Sequence, residues 1–358
     1  MPITKHTHNK IINLCSISGA LLFSLLNSCT TMKQSDQWMT QNKSTLLELN
    51  LNKVKIPGSY SANSYNIKGT ESICLGETNT KNPSSNATII KMANDTNGPI
   101  RTNILNYLNH QNYDINTQLM HGIRFLDLSL CYQDNVFYTS NYYLTEPFID
   151  ILNQINKFLN NYPYEVVIID LDKIWVSHGE LTTEEAQQLE KLIKNKLAKH
   201  IIPTDSIEHL SFRNIWKEKH NVLIMSSNSK FTDSAIIWNK HKLVELEVKP
   251  EFVTIKKLTA IQLGIMDIES NPSNQLNIFP VYTKFNPNIN TPEEIVNYTF
   301  NIDLIINYLY SLPEENPMNI IVADRYLEKD LVNYSMNQFQ INKDNFKKPN
   351  KIKDNSDK

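Results

Sequence analysis

Two nearly continuous apolar segments stand in the middle of the chain. They are residues 165–171 (EVVIIDL) and 221–226 (NVLIMS), each of the length of one strand and apolar on both faces. Between them, Thr182 and Glu185 form a capping-box pattern ahead of apolar residues at helical spacing. Strands covered on both faces that alternate with amphipathic helices are typical of a parallel sheet with helices outside it. The sequence therefore predicts an α/β fold.

The same alternation continues along most of the chain. Strand patterns cover residues 51–59, 122–130 and 318–324, and helix patterns start at Thr145 and at Thr291, the latter running to position 309. A body of this length suits a (β/α)₈ barrel of about 250 residues with insertions. A doubly wound sheet is the alternative.

Two stretches lack a clear pattern. Residues 60–104 are rich in Asn, Ser and Thr and predict a long loop region. Residues 232–290 fit neither strand nor helix throughout, so the number of strands stays open.

The first 29 residues have the pattern of a secretory signal. Lys5 and Lys10 precede an apolar run at 11–26, and Leu26-Asn27-Ser28-Cys29 resembles a bacterial lipobox. Acylation of Cys29 would make the membrane a partner through the lipid and place the chain in the bacterial cell envelope, as an outer-membrane lipoprotein or a periplasmic or secreted protein. An ordinary cleaved signal peptide and an uncleaved anchor are the alternatives.

The expected domain organisation follows from these patterns. Residues 1–29 form the signal with its lipobox, 30–46 a polar tether, 47–340 the barrel domain, and 341–358 a disordered polar tail rich in Lys, Asn and Asp.

Composition excludes several function classes. The net charge is −2 and no basic run occurs outside the last residues, which argues against a nucleic-acid partner. The chain has only eight glycines, and it lacks the nucleotide-binding patterns GxGxxG and GxxxxGK[ST] as well as GxSxG, HExxH and CxxC. Cys74 and Cys131 would share an oxidising compartment, and whether they pair is left open.

Four segments follow one another along the body: IPGSYSANSY at 56–65, QLMHGIRFLDLS at 118–129, FLNNYPYEVVIID at 158–170 and NIIVAD at 319–324. In this order and spacing they resemble the X-domain family of phosphatidylinositol-specific phospholipases C (PI-PLC). The resemblance runs from about residue 51 to residue 337.

The resemblance implies an irregular (β/α)₈ TIM-type barrel, the PLC-like phosphodiesterase fold, with its active site at the C-terminal strand ends. In that family one histidine activates the inositol 2-hydroxyl and a second protonates the departing diacylglycerol. An arginine, or a calcium ion held by carboxylates, balances the phosphate charge.

This sequence departs from the family at all three groups. The first histidine position is Tyr60, a poor base because a phenol is protonated at neutral pH. The second falls on Thr139, or on Ser140 if the register slips by one. Ser129 stands where the family has arginine or a calcium ligand, so no cofactor is expected and calcium is unsupported there.

Several polar residues remain as site candidates. Asp127 and Asp324 match family carboxylates. Asp170 and Asp172, with Lys173 beside them, would form either a polar floor for a headgroup, half of a cation site, or an ion-paired rim.

Beyond these carboxylates, Arg325 would contact a phosphate or form a structural pair. Tyr142, with Tyr132, Tyr138 and Tyr143, would line a headgroup pocket or pack at the rim.

No histidine elsewhere is expected to substitute. His121 would lie at the wrong end of the barrel for catalysis. His110 and His178 fall in predicted loops and are expected on the solvated surface.

These substitutions weaken the expected chemistry. Each general acid or base contributes about 10²–10⁴-fold to rate, so the sequence predicts a phosphoric diester hydrolase family protein that is catalytically impaired and binds a phospholipid or inositol phosphate headgroup or a protein partner. One alternative is an active phosphodiesterase that uses Asp127, Asp324 or a bound cation. A structural or adhesive envelope lipoprotein is the other.

Overall fold

The sheet of this protein is a ring-like succession of parallel strands. The structure is a computed structural model, and it describes residues 35–78, 94, 97–205, 207, 210–249, 254–281, 304–313, 315–325 and 331–345. The strands are β1 (Ile56–Ser59), β2 (Phe125–Gln133), β3 (Val136–Asn141), β4 (Tyr143–Pro147), β5 (Val167–Val176), β6 (Val222–Ser226), β7 (Trp238–Asn239), β8 (Val244–Glu247), β9 (Leu276–Pro280) and β10 (Ile320–Ala323).

Helices connect these strands and cover the sheet. They are α1 (Trp38–Gln41), α2 (Lys43–Leu46), α3 (Leu75–Thr78), α4 (Gly98–Leu108), α5 (Ile115–Met120), α6 (Phe148–Asn161), α7 (Thr183–Leu197), α8 (Phe212–Lys217), α9 (Lys240–Leu243), α10 (Thr254–Ser270), α11 (304–311) and α12 (Leu331–Asn345). Short 3₁₀ turns occupy Ser35–Gln37, Leu51–Lys53 and Ser229–Phe231.

The strand order identifies the architecture. It runs β7-β6-β5-β2-β1-β10-β9-β8, and all seven pairings along this path are parallel. The first strand thus pairs with both the second and the last, as when a sheet curls round on itself. A doubly wound sheet would instead run outward in chain order on both sides of a switch point. The fold is a curled parallel sheet of the TIM-barrel type, as expected.

The ring is irregular at one place. Strands β7 and β8 end the path, and the short helix α9 connects them directly. In the described part of the chain no pairing joins these two strands. This region lies within 232–290, the stretch whose pattern was ambiguous in the sequence.

Most predicted elements are confirmed, with shifted boundaries. The capping box at Thr182 and Glu185 is present, and α7 starts directly after it. The helix predicted to start at Thr145 begins at Phe148, because Thr145 belongs to a β3–β4 hairpin and Pro147 ends that strand. The start predicted at Thr291 lies outside the described residues, which show a helix only at 304–311.

The loop predicted for 60–104 is partly wrong. Helix α3 and most of α4 lie within it, and Ile104 is buried in a small cluster with Leu108 and Tyr143. The Asn-rich composition hid a helix whose stabilising contacts come from the β3–β4 hairpin.

The predicted tether at 30–46 is wrong from Asp36 onward, where the compact unit containing the barrel begins. Trp38, Met39 and Leu46 are buried, and the Trp38 indole donates a hydrogen bond of 2.9 Å to the Gly122 carbonyl. Only three apolar side chains anchor this segment, and they are too widely spaced among polar residues to form a recognisable pattern.

The predicted tail is also wrong at its start. Helix α12 runs to Asn345, past the boundary expected at 341. Residues 346–358 and the signal segment 1–29 lie outside the described residues. Among the helices that are described, none combines the length and apolar character needed to cross a bilayer.

A buried ion pair closes the N-terminal end of the barrel. Arg124, just before β2, contacts Glu165 through Nε at 2.9 Å and Nη2 at 2.7 Å, and both side chains are fully buried. The guanidinium also donates to the carbonyls of Asp36, Leu119 and Ile123, each at 2.7 Å. Every donor of this arginine is therefore used.

The carboxylate of Glu165 holds the N-terminal segment as well. It accepts hydrogen bonds from the backbone N–H of Met39 at 3.3 Å and of Thr40 at 2.8 Å. One carboxylate thus connects the start of β5, the start of β2 and helix α1.

We expect Glu165→Ala to lower the free energy of unfolding by about 3–5 kcal/mol, because it leaves the Arg124 guanidinium buried without a counter-charge. Urea denaturation measures this. The matched control is Glu48→Ala, which breaks an exposed pair with Arg213 and should cost less than about 1 kcal/mol. Equal costs for the two variants would contradict a dominant role for the buried pair.

Candidate functional site

Four neighbouring strands bring polar side chains to their C-terminal ends. Asp127 in β2 is the register partner of Asp170 in β5. Tyr60 directly follows β1, and its N–H donates to the carbonyl of Ala323, the residue before Asp324. We call the group formed by Tyr60, Asp127, Lys173 and Asp324 the mouth.

A cation is present at the mouth although Ser129 has no charge. Lys173 is the register partner of Ser129 across the β2–β5 pair. Its ammonium lies 3.5 Å from Asp127 Oδ2 and 4.8 Å from the centre of the Tyr60 ring. Burial works against the charged form, but Asp127 and the other nearby acidic groups outweigh it and raise the pKa of Lys173. The lysine is therefore charged, and its side chain is 38% exposed.

Tyr60 stands in the centre of this group. Burial, and to a smaller extent the carboxylates Asp127 and Asp324, raise its pKa against the opposing effect of Lys173. The phenol consequently stays protonated at neutral pH and can donate a hydrogen bond.

Thr139 is committed to the β3–β4 hairpin. It is fully buried, and its hydroxyl lies 2.8 Å from the Thr145 hydroxyl and 3.0 Å from the Glu146 carbonyl. The alternative position, Ser140, is buried as well, and its hydroxyl lies 3.5 Å from Glu77. Neither hydroxyl supplies a proton donor comparable to imidazolium.

The prediction that His110 lies on the solvated surface is wrong. His110 is buried, and its Nδ1 lies 3.5 Å from Asp324 Oδ1. Its ring contacts the Tyr60 ring edge-on, with the ring centres 4.8 Å apart. An imidazole therefore lies at the mouth, beside Tyr60.

Backbone contacts fix the segment that carries this histidine. The His110 carbonyl accepts from the Arg325 N–H at 2.8 Å. The Gln111 side chain donates to the carbonyls of Tyr60 at 2.8 Å and Ala323 at 3.1 Å. No local pattern marks this segment, because it follows helix α4 and meets the sheet only through long-range contacts.

Glu77 is a second residue that the sequence reasoning missed. This buried carboxylate accepts the Tyr142 N–H at 2.7 Å. Burial raises its pKa to about 7, although the Tyr142 hydrogen bond and Lys173 favour the charged form. The group is thus divided between its acid and carboxylate forms near neutral pH.

A disulfide positions Glu77. Cys74 and Cys131 are joined, with Cα atoms 6.1 Å apart, which resolves the pairing that the sequence left open. Helix α3 follows Cys74 directly, and the Glu77 N–H contacts the Cys74 sulfur at 3.4 Å. The bridge therefore fixes a short acidic helix against β2.

Comparisons of sequence and of fold relate this chain to known proteins. The chain is 22% identical over 210 residues to PI-PLC X domain-containing protein 2 of Mus musculus, covering 58% of each protein. It is 24% identical over 217 residues to PI-PLC X domain-containing protein 1 of Homo sapiens, covering 58% of this chain and 60% of that one. The chain thus spans about three fifths of the length of these curated relatives. No family model matches the chain.

The fold comparison agrees. The phosphatidylinositol-specific phospholipase C from Listeria monocytogenes superposes with a TM-score of 0.55 at 16% identity, over 85% of this chain and 98% of that chain. A Staphylococcus aureus phosphatidylinositol-specific phospholipase C gives 0.56 at 15% identity, over 86% and 98%. The chain is thus similar in sequence to PI-PLC X-domain proteins, and it has the fold of the bacterial phosphatidylinositol-specific phospholipases C.

Within this PI-PLC-like barrel, Asp170 and Asp172 form ion pairs with a lysine. Lys240, at the start of α9, lies 2.9 Å from Asp170, 2.6 Å from Asp172 and 2.9 Å from Glu247. Burial raises the pKa of Asp170, whereas Lys240 and the Ser227 N–H outweigh burial and lower that of Asp172. The ammonium holds the open edge of the ring together. Among the residues that the structure describes, no group of three or more His, Cys, Asp or Glu side chains could hold a metal ion.

The other candidates have distinct surroundings. The Arg325 guanidinium donates to the Asn106 carbonyl of α4 at 2.8 Å. Burial raises the pKa of Tyr142, and the neighbouring groups Glu77 and Tyr60 raise it further.

The four tyrosines pack in three places and do not form one group. Tyr142 and Tyr143 pack with α4, Tyr132 packs on Phe137, and Tyr138 packs against the Cys74–Cys131 bridge. This agrees with the packing alternative for these residues. Alternation along the hairpin separates neighbouring side chains.

Two histidines lie where the sequence suggested. His121 ends helix α5, with Nδ1 2.7 Å from the Thr117 carbonyl. The His178 side chain is 49% exposed and lies 3.3 Å from Glu185. Neither contacts a residue of the mouth.

We expect the stability of the protein to carry a pH dependence due to Glu77. Because the folded-state pKa of about 7 lies above the ordinary 4.5, this group's contribution is fully present below pH 4.5 and is lost as the pH rises through about 7. By linkage, the ionised carboxyl costs on the order of 3 kcal/mol above that pH. Glu77→Gln should therefore gain stability relative to wild type between pH 4.5 and pH 8, measured by urea denaturation.

The control for this experiment is Glu180→Gln, which removes a solvent-exposed carboxyl. If the difference in free energy of unfolding between Glu77→Gln and wild type stayed constant across the pH range, a raised pKa at this position would be contradicted.

Proposed function

We propose that the mouth binds the phosphorylated headgroup of a phospholipid or an inositol phosphate, and that the two-histidine route of the PI-PLC family is impaired in this chain. The observation that carries the binding proposal is the position of Lys173. It stands in register with Ser129 and supplies a partly exposed cation where the family has its charged group.

Electrostatics favour an anion at this cation. The Lys173 ammonium lies 3.5 Å from Asp127, a distance longer than a direct hydrogen bond. Its N–H donors can therefore bind a phosphate oxygen. The protonated Tyr60 hydroxyl adds a further donor nearby. These groups suit recognition of a phosphate ester oxygen.

The impairment follows from the residues at the family's histidine positions. Tyr60 remains a phenol because burial raises its pKa, and the Thr139 hydroxyl is engaged within its hairpin. Losing an acid and a base would each cost about 10²–10⁴-fold in rate. Neither residue can replace an imidazole in that route.

A lipid on Cys29 would complement this role. It would hold the mouth close to a membrane surface, where phospholipid headgroups are concentrated. Cys29 lies outside the described residues, and metabolic labelling with a radioactive fatty acid, compared between wild type and Cys29→Ser, tests this part of the proposal.

We expect Lys173→Met to weaken binding of myo-inositol 1-phosphate about tenfold to a hundredfold, since a hydrogen bond to a charged group contributes about 1.5–3 kcal/mol. Calorimetric titration gives the Kd, and the ligand-dependent rise in Tm gives an independent measure. The control is Lys217→Met. The Lys217 side chain is 77% exposed, and the residue ends helix α8, before strand β6 starts.

Two results would count against this function. An unchanged Kd in Lys173→Met would remove the cation from the binding site. If neither inositol phosphates nor glycerophosphodiesters raised the Tm of the wild-type protein, a structural or adhesive envelope role would be favoured instead.

A further inference from the structure

We propose that His110 and Glu77, neither of which occupies a family histidine position, act as base and acid in cleavage of a phosphodiester bound at the mouth. This inference rests on the proposed headgroup site and extends it, because it assigns chemistry to residues brought in from two other segments of the chain.

His110 has the surroundings of a general base. Asp324 Oδ1 lies 3.5 Å from Nδ1, which is longer than a hydrogen bond, and the nearby carboxylate favours the tautomer with its proton on that nitrogen. The other nitrogen, Nε2, then has a free lone pair, and no group in the described ranges hydrogen-bonds it. The rings of Tyr60 and Tyr107 contact the imidazole edge-on, with centres 4.8 Å and 5.7 Å away, and so restrict its orientation.

Glu77 has the surroundings of a general acid. Its carboxylate lies 3.5 Å from the Ser140 hydroxyl, and the Ser140 carbonyl accepts a hydrogen bond of 2.9 Å from Asn63. The Asn63 side-chain oxygen in turn accepts from the N–H of Ser129, the register partner of Lys173. The charged or titratable groups that face Glu77 are Lys173, Tyr142 and Tyr60. With a pKa of about 7, a substantial fraction carries a proton at neutral pH, which suits proton donation to a leaving alcohol.

The backbone around these groups is unusual. Ser61, Tyr142 and Arg325 have φ values of +43°, +60° and +42°, in the left-handed region that non-glycine residues rarely adopt. Ser61 follows Tyr60, Arg325 follows Asp324, and the Tyr142 N–H binds Glu77. Three of the seven non-glycine residues with positive φ in the described ranges thus lie beside these groups, and such residues are often found at functional sites.

The proposed step transfers two protons. An attacking hydroxyl, from water or from the substrate itself, loses its proton to His110 Nε2 while its oxygen forms a bond to phosphorus. The bond between phosphorus and the departing alcohol oxygen breaks, and that oxygen keeps the electron pair and takes the proton of Glu77. Lys173 pairs with a non-bridging phosphate oxygen. Proton exchange with water then returns His110 to its neutral form and Glu77 to its acid form.

The test uses the full-length chain and the glycerol ester of myo-inositol 1-phosphate, whose alkoxide leaving group needs a proton, with turnover followed by phosphorus NMR. We expect His110→Gln and Glu77→Gln each to lower kcat about 10²–10⁴-fold without changing the Kd of myo-inositol 1-phosphate. The matched control is His178→Gln, which alters an exposed histidine and should retain wild-type kcat. The wild-type kcat should fall as the pH rises through about 7, and this decline should be absent in Glu77→Gln.

Asp324 is a positioning residue in this scheme, and Asp324→Asn should lower kcat while shifting the acidic limb of the pH profile. Phosphorus NMR distinguishes the two nucleophiles, since a cyclic phosphate indicates a substrate hydroxyl and a phosphate monoester indicates water. If His110→Gln fails to fold, His110→Asn replaces it, and the wild-type pH profile tests Glu77 without any variant.

Three outcomes would overturn the inference. Binding of myo-inositol 1-phosphate without turnover of the ester would remove the acid–base pair and leave the headgroup site intact. Absence of both binding and turnover would overturn the proposed function as well. Turnover that persists unchanged in His110→Gln and His110→Asn would assign His110 to packing against Tyr60 and Tyr107.

Discussion

The parallel register of four strands brings Tyr60, Asp127, Lys173 and Asp324 together. Ser59 pairs with Ala323 and with Leu126, and Leu126 pairs with Ile169. Parallel strands in register end at the same side of a sheet, so the polar residues that follow these apolar positions meet at one edge. For this reason Tyr60 and Asp324 are neighbours in the structure, although most of the chain separates them in sequence. A slip of one residue in any pairing would turn the polar side chains to the other face.

The two ends of the barrel use charge differently. At the N-terminal end, Arg124 and Glu165 are fully buried, and all donors of the arginine have partners. Such a saturated pair holds chain segments together, because breaking it leaves an uncompensated charge in the interior. At the mouth, Lys173 has one longer contact with Asp127 and a partly exposed side chain. The first arrangement suits stability, and the second leaves capacity for a ligand.

The residues proposed for the site come from separate segments of the chain. Lys173 is the register partner of Ser129, and His110 lies beside Tyr60. The Cys74–Cys131 bridge fixes helix α3, so that Glu77 reaches Tyr142. The barrel supplies a common edge to which many segments contribute, which is why chemistry on this fold varies through its loops.

The sequence by itself determined the α/β class, the apolar strands and the capping box at Thr182, because these depend on periodicity and short-range hydrogen bonds. It also determined that residues 60 and 139 are tyrosine and threonine and not histidine. Only the tertiary structure decided that His110 lies beside Tyr60, that Glu77 binds the Tyr142 N–H, that Lys240 joins the acidic rim, and that the segment from Asp36 packs beneath the barrel. These placements depend on contacts between residues far apart in the chain, and such contacts leave no repeat or spacing in the local sequence from which they could be read.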